Sequence, residues 1–202
     1  MNFKHTHALA VSCVRAEARL GDFTAQNISN LVYALGLIGF KHESFLLAVC
    51  AHAPTRFSEF KTQETSNLVY SLGRLRCKQE KFMECACGHV SARLTEFAPQ
   101  EVSNIIYTLG LVCFWHSCLL HALAVHLPSQ LTRFKPQEIS NTVYGLGCLG
   151  YRNDDFWREI CAHVPTRLSG FTPQDITSVA YALSLLHCKR EDCGACPSTS
   201  RA

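Results

Sequence analysis

The sequence predicts an all-α chain, an α-solenoid of 37-residue helix-hairpin repeats, and three observations carry that reading. Phe23, Phe60, Phe97, Phe134 and Phe171 stand 37 residues apart with no insertion between them. Each opens the same phrase: FTAQNISNLVYALG, FKTQETSNLVYSLG, FAPQEVSNIIYTLG, FKPQEISNTVYGLG and FTPQDITSVAYALS. No segment carries a strand signal, so a fixed period with helical spacing inside it describes stacked helical hairpins.

The elements follow in order. Residues 1–22 read as the second half of a partial repeat, because Cys13, Arg19 and Leu20 lie 37 residues before Cys50, Arg56 and Phe57. Full repeats then occupy 23–59, 60–96, 97–133 and 134–170, a first half occupies 171–187, and 188–202 reads as a disordered tail. Within each repeat the first half is a helix, called A here. In FTPQD, Thr172 caps, Pro173 suits the first helical position and Asp175 completes a capping box. Counting the phenylalanine as zero, apolar residues fall at positions 5, 8, 9, 12 and 15, as in Ile139, Val143, Leu146 and Leu149. At about 100° per residue these form one stripe that must pack on something. The second half, such as SFLLAVCAHAPTRF, is helix B, expected to break near Pro54, Pro128 or Pro165, since the residue before proline disfavours helix.

Small residues line both flanks of helix A. One flank has Ser29, Ser66, Ser103 and Ser140, with Gly36, Gly73, Gly110 and Gly147 seven residues later; the other has Ala34, Ser71, Thr108, Gly145 and Ala182. A helical glycine costs roughly 1 kcal/mol against alanine, so four in register ask for a packing reason: close approach of successive A helices.

Of 202 residues, 19 are basic and 16 acidic, giving a net charge of +3, and 48% are apolar. This balance excludes a polybasic tail and compositional disorder. No signal peptide and no membrane span is visible. The twelve cysteines sit singly in apolar segments, and Cys13, Cys50, Cys87 and Cys161 share one repeat position, as small buried packing residues in a reducing compartment would.

The face of helix A opposite the core stripe carries three rows: Gln26, Gln63, Gln100, Gln137 and Gln174; Asn30, Asn67, Asn104 and Asn141; Tyr33, Tyr70, Tyr107, Tyr144 and Tyr181. Amides offer donors and acceptors and tyrosine offers a stacking plane with a hydroxyl, a vocabulary suited to single-stranded nucleic acid. Asparagine and tyrosine satisfying backbone groups between repeats is the alternative. Identical rows hold a polymer without spelling a sequence, so discrimination falls to varying neighbours such as Arg74 at position 14. Arg56, Arg93 and Arg167 share one column, interrupted by Gln130, which is expected either to track phosphates or to satisfy the protein's own carbonyls.

Histidines 52, 89, 126 and 163 recur in helix B, but equivalent residues on stacked helices stand roughly 8 to 10 Å apart, too far for shared metal ligation, so a structural role is expected. His187, Cys188, Cys193 and Cys196 number enough for four metal ligands but match no zinc spacing, so a loose tail is expected, with a redox or zinc role as the weaker alternative. Gly145-Leu146-Gly147 lacks the preceding strand of a dinucleotide site, and no nucleophile or carboxylate pair stands out. No catalysis, no cofactor, no metal and no small-molecule substrate are expected.

The phrase F-x-P-Q-E-I-S-N-x-V-Y-x-L-G-x-L-G, as in Phe134 to Gly150, resembles the heptatricopeptide and octotricopeptide repeats of organellar RNA-binding proteins, relatives of the FAST-kinase-like leucine-rich and RAP-domain proteins, over about residues 8–187. The resemblance implies paired-helix repeats that bind single-stranded RNA in mitochondria or chloroplasts. There they support processing, stability or translation, with organellar RNA-processing and ribosomal proteins as further partners. A RAP domain is expected after the repeats and an import segment before them; neither is seen, as in a fragment. The competing expectation is a protein-interaction scaffold that holds an extended peptide in the solenoid groove, which the modest charge favours.

Overall fold

The computed structural model describes residues 3–188, with side chains from 5 to 186. Among these there is no strand, and ten α-helices follow one another: α1 Phe3–Ala18, α2 Ala25–Ile38, α3 Glu43–His52, α4 Thr62–Arg74, α5 Glu80–Ala92, α6 Pro99–Leu111, α7 Ser117–His126, α8 Pro136–Leu149, α9 Asp154–His163 and α10 Pro173–Cys188. The even-numbered helices are the A helices, and each begins 37 residues after the one before. The expected tail at 188–202 lies outside the described residues apart from Cys188 at the end of α10.

The start of every A helix is built the same way. The backbone N–H at position 1 donates to the side chain at position 4: Thr24 to Asn27 at 3.1 Å, Lys61 to Glu64 at 2.9 Å, Ala98 to Glu101 at 2.8 Å, Lys135 to Glu138 at 2.8 Å and Thr172 to Asp175 at 3.0 Å. Position 4 is thus a helix cap throughout. The ends are equally regular. Position 16 is left-handed in four repeats, with φ of 67° at Gly39, 52° at Arg76, 49° at Cys113 and 69° at Gly150. The next residue's N–H closes on the carbonyl five back, as in Phe40 to Leu35 and Cys77 to Leu72 at 3.0 and 2.9 Å.

Helix B ends at His52, His126 and His163 in α3, α7 and α9, but the prolines do not break the chain away. They tighten it into the 3₁₀ segments Ala53–Glu59, Pro128–Arg133 and Val164–Gly170. Where Glu17 or Ser91 stands in place of the proline, the α-helix runs on to Ala18 or Ala92. Three B helices are capped at their start by a side chain: His42 Nδ1 accepts from Phe45 N–H, His116 Nδ1 from Leu119 and Asn153 Oδ1 from Phe156, at 3.4, 3.1 and 2.9 Å.

The chain divides into two compact units, Met1–Glu101 and Val102–Ala202. In the first, α2 lies beside α4 and α1 beside α3. Its core is the A stripe Ile28, Val32, Leu35, Leu68 and Leu72 closed by Phe45, Met83 and Phe82 from the B helices, all 1% exposed or less. Phe57 meets Phe60 and Phe82 at ring distances of 5.8 and 5.7 Å. In the second, α8 lies beside α10, and Ile105, Ile106, Leu109, Ile139, Val143 and Leu146 pack with Leu119, Leu123, Phe156 and Ile160.

Small flanks bring these A helices together as their sequence predicts. A Cβ on Gly36 would stand 2.9 Å from the Ser71 Cβ, one on Gly110 would stand 2.6 Å from the Gly145 Cα, and one on Gly147 would stand 2.6 Å from the Ala182 Cβ. The serines of that flank are fasteners: Ser29 Oγ donates to the Glu64 carbonyl at 3.0 Å and Ser66 Oγ to the Glu101 carbonyl at 3.1 Å.

Three expectations need correction. Cys13, Cys50 and Cys87 are buried, but Cys161 is exposed. Ile38 and Ile176 belong to the apolar stripe by count yet are 45% and 47% exposed. Ile38 is the last residue of its helix, and no B helix is described beyond α10 to cover Ile176.

Candidate nucleic-acid interface

Glutamine, asparagine and tyrosine fall at positions 3, 7 and 10 of each A helix, spacings of four and three that place them on one face. Gln26, Gln63, Gln100 and Gln137 are exposed, as is Asn30; Asn67, Asn104 and Asn141 are half-buried beside the neighbouring helices, and so are Tyr33, Tyr70, Tyr107 and Tyr144. Arg74 is exposed and belongs to this face, donating from Nη1 to the Tyr70 hydroxyl at 3.2 Å with its guanidinium carbon 5.7 Å from the ring centroid.

The tyrosines of the second unit form a ladder. Tyr107 and Tyr144 rings are 5.6 Å apart at 34°, and Tyr144 and Tyr181 are 6.0 Å apart at 26°. Close packing of α6 on α8 through Gly110 and Gly145, and of α8 on α10 through Gly147 and Ala182, sets these spacings, and a base slipped between two rings needs two stacking steps of about 3.4 Å each. The rings therefore contact one another and leave no room for a base between them. Burial, with Cys148 and the two flanking tyrosines adding to it, pushes the Tyr144 hydroxyl up to about 12, so it remains a donor at neutral pH.

The arginine column has a different destination. Arg56, Arg93 and Arg167 are half-buried, and each Nη1 donates to the carbonyl of the phenylalanine opening its own repeat: Phe23 at 3.0 Å, Phe60 at 3.4 Å and Phe134 at 2.7 Å. Arg56 and Arg93 also pair with Glu59 and Glu96 at 2.6 and 2.7 Å, which holds both carboxyls below their ordinary range. Of the two roles open to this column in the sequence, the geometry is that of the internal one, tying the end of each repeat to its beginning. Where Gln130 interrupts the column, Arg133 donates to it at 2.7 Å.

At His52 and His89 the repeated histidine serves the same stitch, whereas the buried Nε2 of His163 has no hydrogen-bond partner among the described residues. Nε2 of His52 and of His89 lies 3.0 and 2.9 Å from the Nη1 of Arg56 and Arg93, and a guanidinium only donates, so these imidazoles accept. The His89 ring stacks on Phe57 at 5.2 Å. Among the described residues no three His, Cys, Asp or Glu side chains gather as a metal ion requires. The side chains of His187, Cys188, Cys193 and Cys196 lie outside the described residues.

No family model and no curated protein matches the chain. No helix among the described residues is long and apolar enough to cross a membrane.

Sequence reasoning missed two features. The buried thiols of Cys50 and Cys77 act on one another; that interaction and the nearby Lys41 charge hold Cys77 down, to about 7, while the same interaction and burial push Cys50 up. The other is a cationic column at position 18, Lys41, Lys78 and Arg152, broken by Trp115. Its 37-residue spacing is plain in the sequence, but the residues flank no recognisable motif, and only the loop geometry shows which way they face.

Proposed function

We propose that this chain is an α-solenoid of 37-residue repeats that binds single-stranded RNA along its A-helix face, without catalysis. The observation that carries the reading is the recurrence of glutamine, asparagine and tyrosine at positions 3, 7 and 10 on one helix face in successive repeats, with the glutamines exposed and most asparagines and tyrosines half-buried. Amides and tyrosine hydroxyls at a regular interval suit the edges of unstacked bases. Arg74 over Tyr70 adds a cation where a base would sit. Because the rows hardly vary, they hold the strand, and position 14, with arginine in one repeat and leucine or cysteine in others, tunes the choice of base. By the resemblance of its repeat phrase, the chain acts on transcripts of mitochondria or chloroplasts, in their processing, stability or translation.

The test is fluorescence anisotropy with a labelled single-stranded oligoribonucleotide and its duplex over a salt series. Binding of the single strand that weakens as salt rises, and falls in Asn67→Ala/Tyr70→Ala/Asn104→Ala, is expected; no salt-sensitive binding at low ionic strength would end this reading. A second reading has its own support: with +3 net charge and three arginines engaged internally, the same rows also suit the backbone of an extended peptide. Crosslinking in extract that recovers peptides on this face and no RNA favours it.

A further inference from the structure

The A-to-B loops of the first unit carry a group of exposed cations. Position 16 follows the first four A helices in the left-handed region, position 17 turns inward in the loop after α4, with Cys77 6% exposed, and position 18 turns out again. After α2 these positions read Gly39, Phe40, Lys41, and after α4 they read Arg76, Cys77, Lys78. Lys41, Arg76 and Lys78 are all exposed.

Arg76 is the informative member. Gly39, Cys113 and Gly150 fill the same left-handed position in their repeats, so the turn needs no cation there. A residue with a Cβ is strained in that conformation. Helix-end electrostatics reward a cation at any position of the last turn, and Arg74 already occupies one. The arginine at 76 thus adds strain without a folding need. The two loops are also neighbours, since they follow helices α2 and α4, which lie side by side and meet at Gly36 and Ser71 near their C-terminal ends. The acid beside Lys41, Glu43 at 3.6 Å, forms an exposed pair of the kind worth little in water and easily exchanged for a phosphate.

We propose that Lys41, Arg76 and Lys78 form the track for the sugar–phosphate backbone, at the edge of the amide and tyrosine face where Arg74 lies over Tyr70. This inference rests on the RNA reading above and names the part of the site that supplies its salt dependence, a role the sequence had left open to Arg56, Arg93 and Arg167.

The experiment uses the full chain and a labelled single-stranded oligouridine RNA, with affinity measured across a salt series and folding followed by thermal melting. Lys41→Gln/Arg76→Gln/Lys78→Gln is compared with Arg15→Gln/Lys81→Gln/Arg158→Gln, which removes the same charge from exposed helix-B positions. Each phosphate contact contributes about 0.7 to the slope of log affinity on log salt, so the loop variant is expected to lose about two from the slope and the control none. Arg76→Gly alone should melt higher and yet lose about 0.7 of slope, opposite signs that a purely structural residue would not give. Equal losses in the two triple variants, or an unchanged slope in a folded loop variant, overturn the track and leave RNA binding standing. No binding by the unaltered chain overturns both.

Discussion

The backbone carbonyl of Ile106 fills the space that a Cβ on Gly145 would need. In this register Ala34 and Ala182 stand elsewhere in the chain, so glycine here answers one unusually close approach of α6 to α8 rather than a helix preference.

Gly145→Ala should therefore destabilise the chain by about 1 to 3 kcal/mol, the range for overpacking against groups that must move bodily. Gly88→Ala supplies the contrast, because a Cβ at exposed Gly88 in α5 meets nothing within 4 Å. That change should stabilise by about 0.5 to 1 kcal/mol. Urea unfolding of the two variants checks the pair, and the same sign for both would be evidence against the packing argument.

Cys113 ends α6 with a φ of 49°. Glycine occupies the equivalent place at Gly39 and Gly150, so Cys113→Gly should raise stability by about 1 kcal/mol through relief of the left-handed strain. A shift in the melting midpoint of the variant measures it.

Arg167 donates to the Phe134 carbonyl at 2.7 Å. Arg167→Ala should cost about 1 to 2 kcal/mol of stability, and Arg167→Lys should recover little, because an ammonium lacks the planar fork that reaches the carbonyl from the 3₁₀ segment. Chemical denaturation of both variants gives the comparison.

Burial, reinforced by the Arg93 guanidinium, holds the His89 imidazole below its ordinary 6.5. The unfolded chain then takes up this proton first, so the contribution is complete above about pH 6.5 and declines as pH falls through that value. His89→Gln keeps an acceptor for Arg93 and removes the titration. The unfolding midpoint between pH 7.5 and 5.5 should fall less in the variant than in the parent, about neutral pH; an equal decline would assign the pH dependence to other groups.

Thr65 is fully buried in α4, where the register elsewhere holds Ile28, Val102 and Ile139, and its hydroxyl has no hydrogen-bond partner among the described residues. Thr65→Val should stabilise by roughly 1 kcal/mol, since it removes an unpaired buried polar atom at nearly constant shape. Thermal melting decides the sign.

The sequence by itself determined the period, the helical class, the core stripe from Ile28 to Leu146 and the small flanks, because each depends on residue spacing along a helix, and spacing is written in one dimension. It also placed Gln26, Asn30 and Tyr33 with their repeats on one face, by the same arithmetic. What it left open was the use of side chains long enough to reach more than one partner. The sequence leaves Arg56 and Arg167 open to phosphates or to the protein's own carbonyls, and in the fold they turn back 33 residues to the Phe23 and Phe134 carbonyls. Tyr107 and Tyr144 look like separate stacking planes, yet glycine-mediated approach of their helices turns the rings on each other. Those outcomes depend on distances between helices, set when the small flanks close, and only the folded chain decides them.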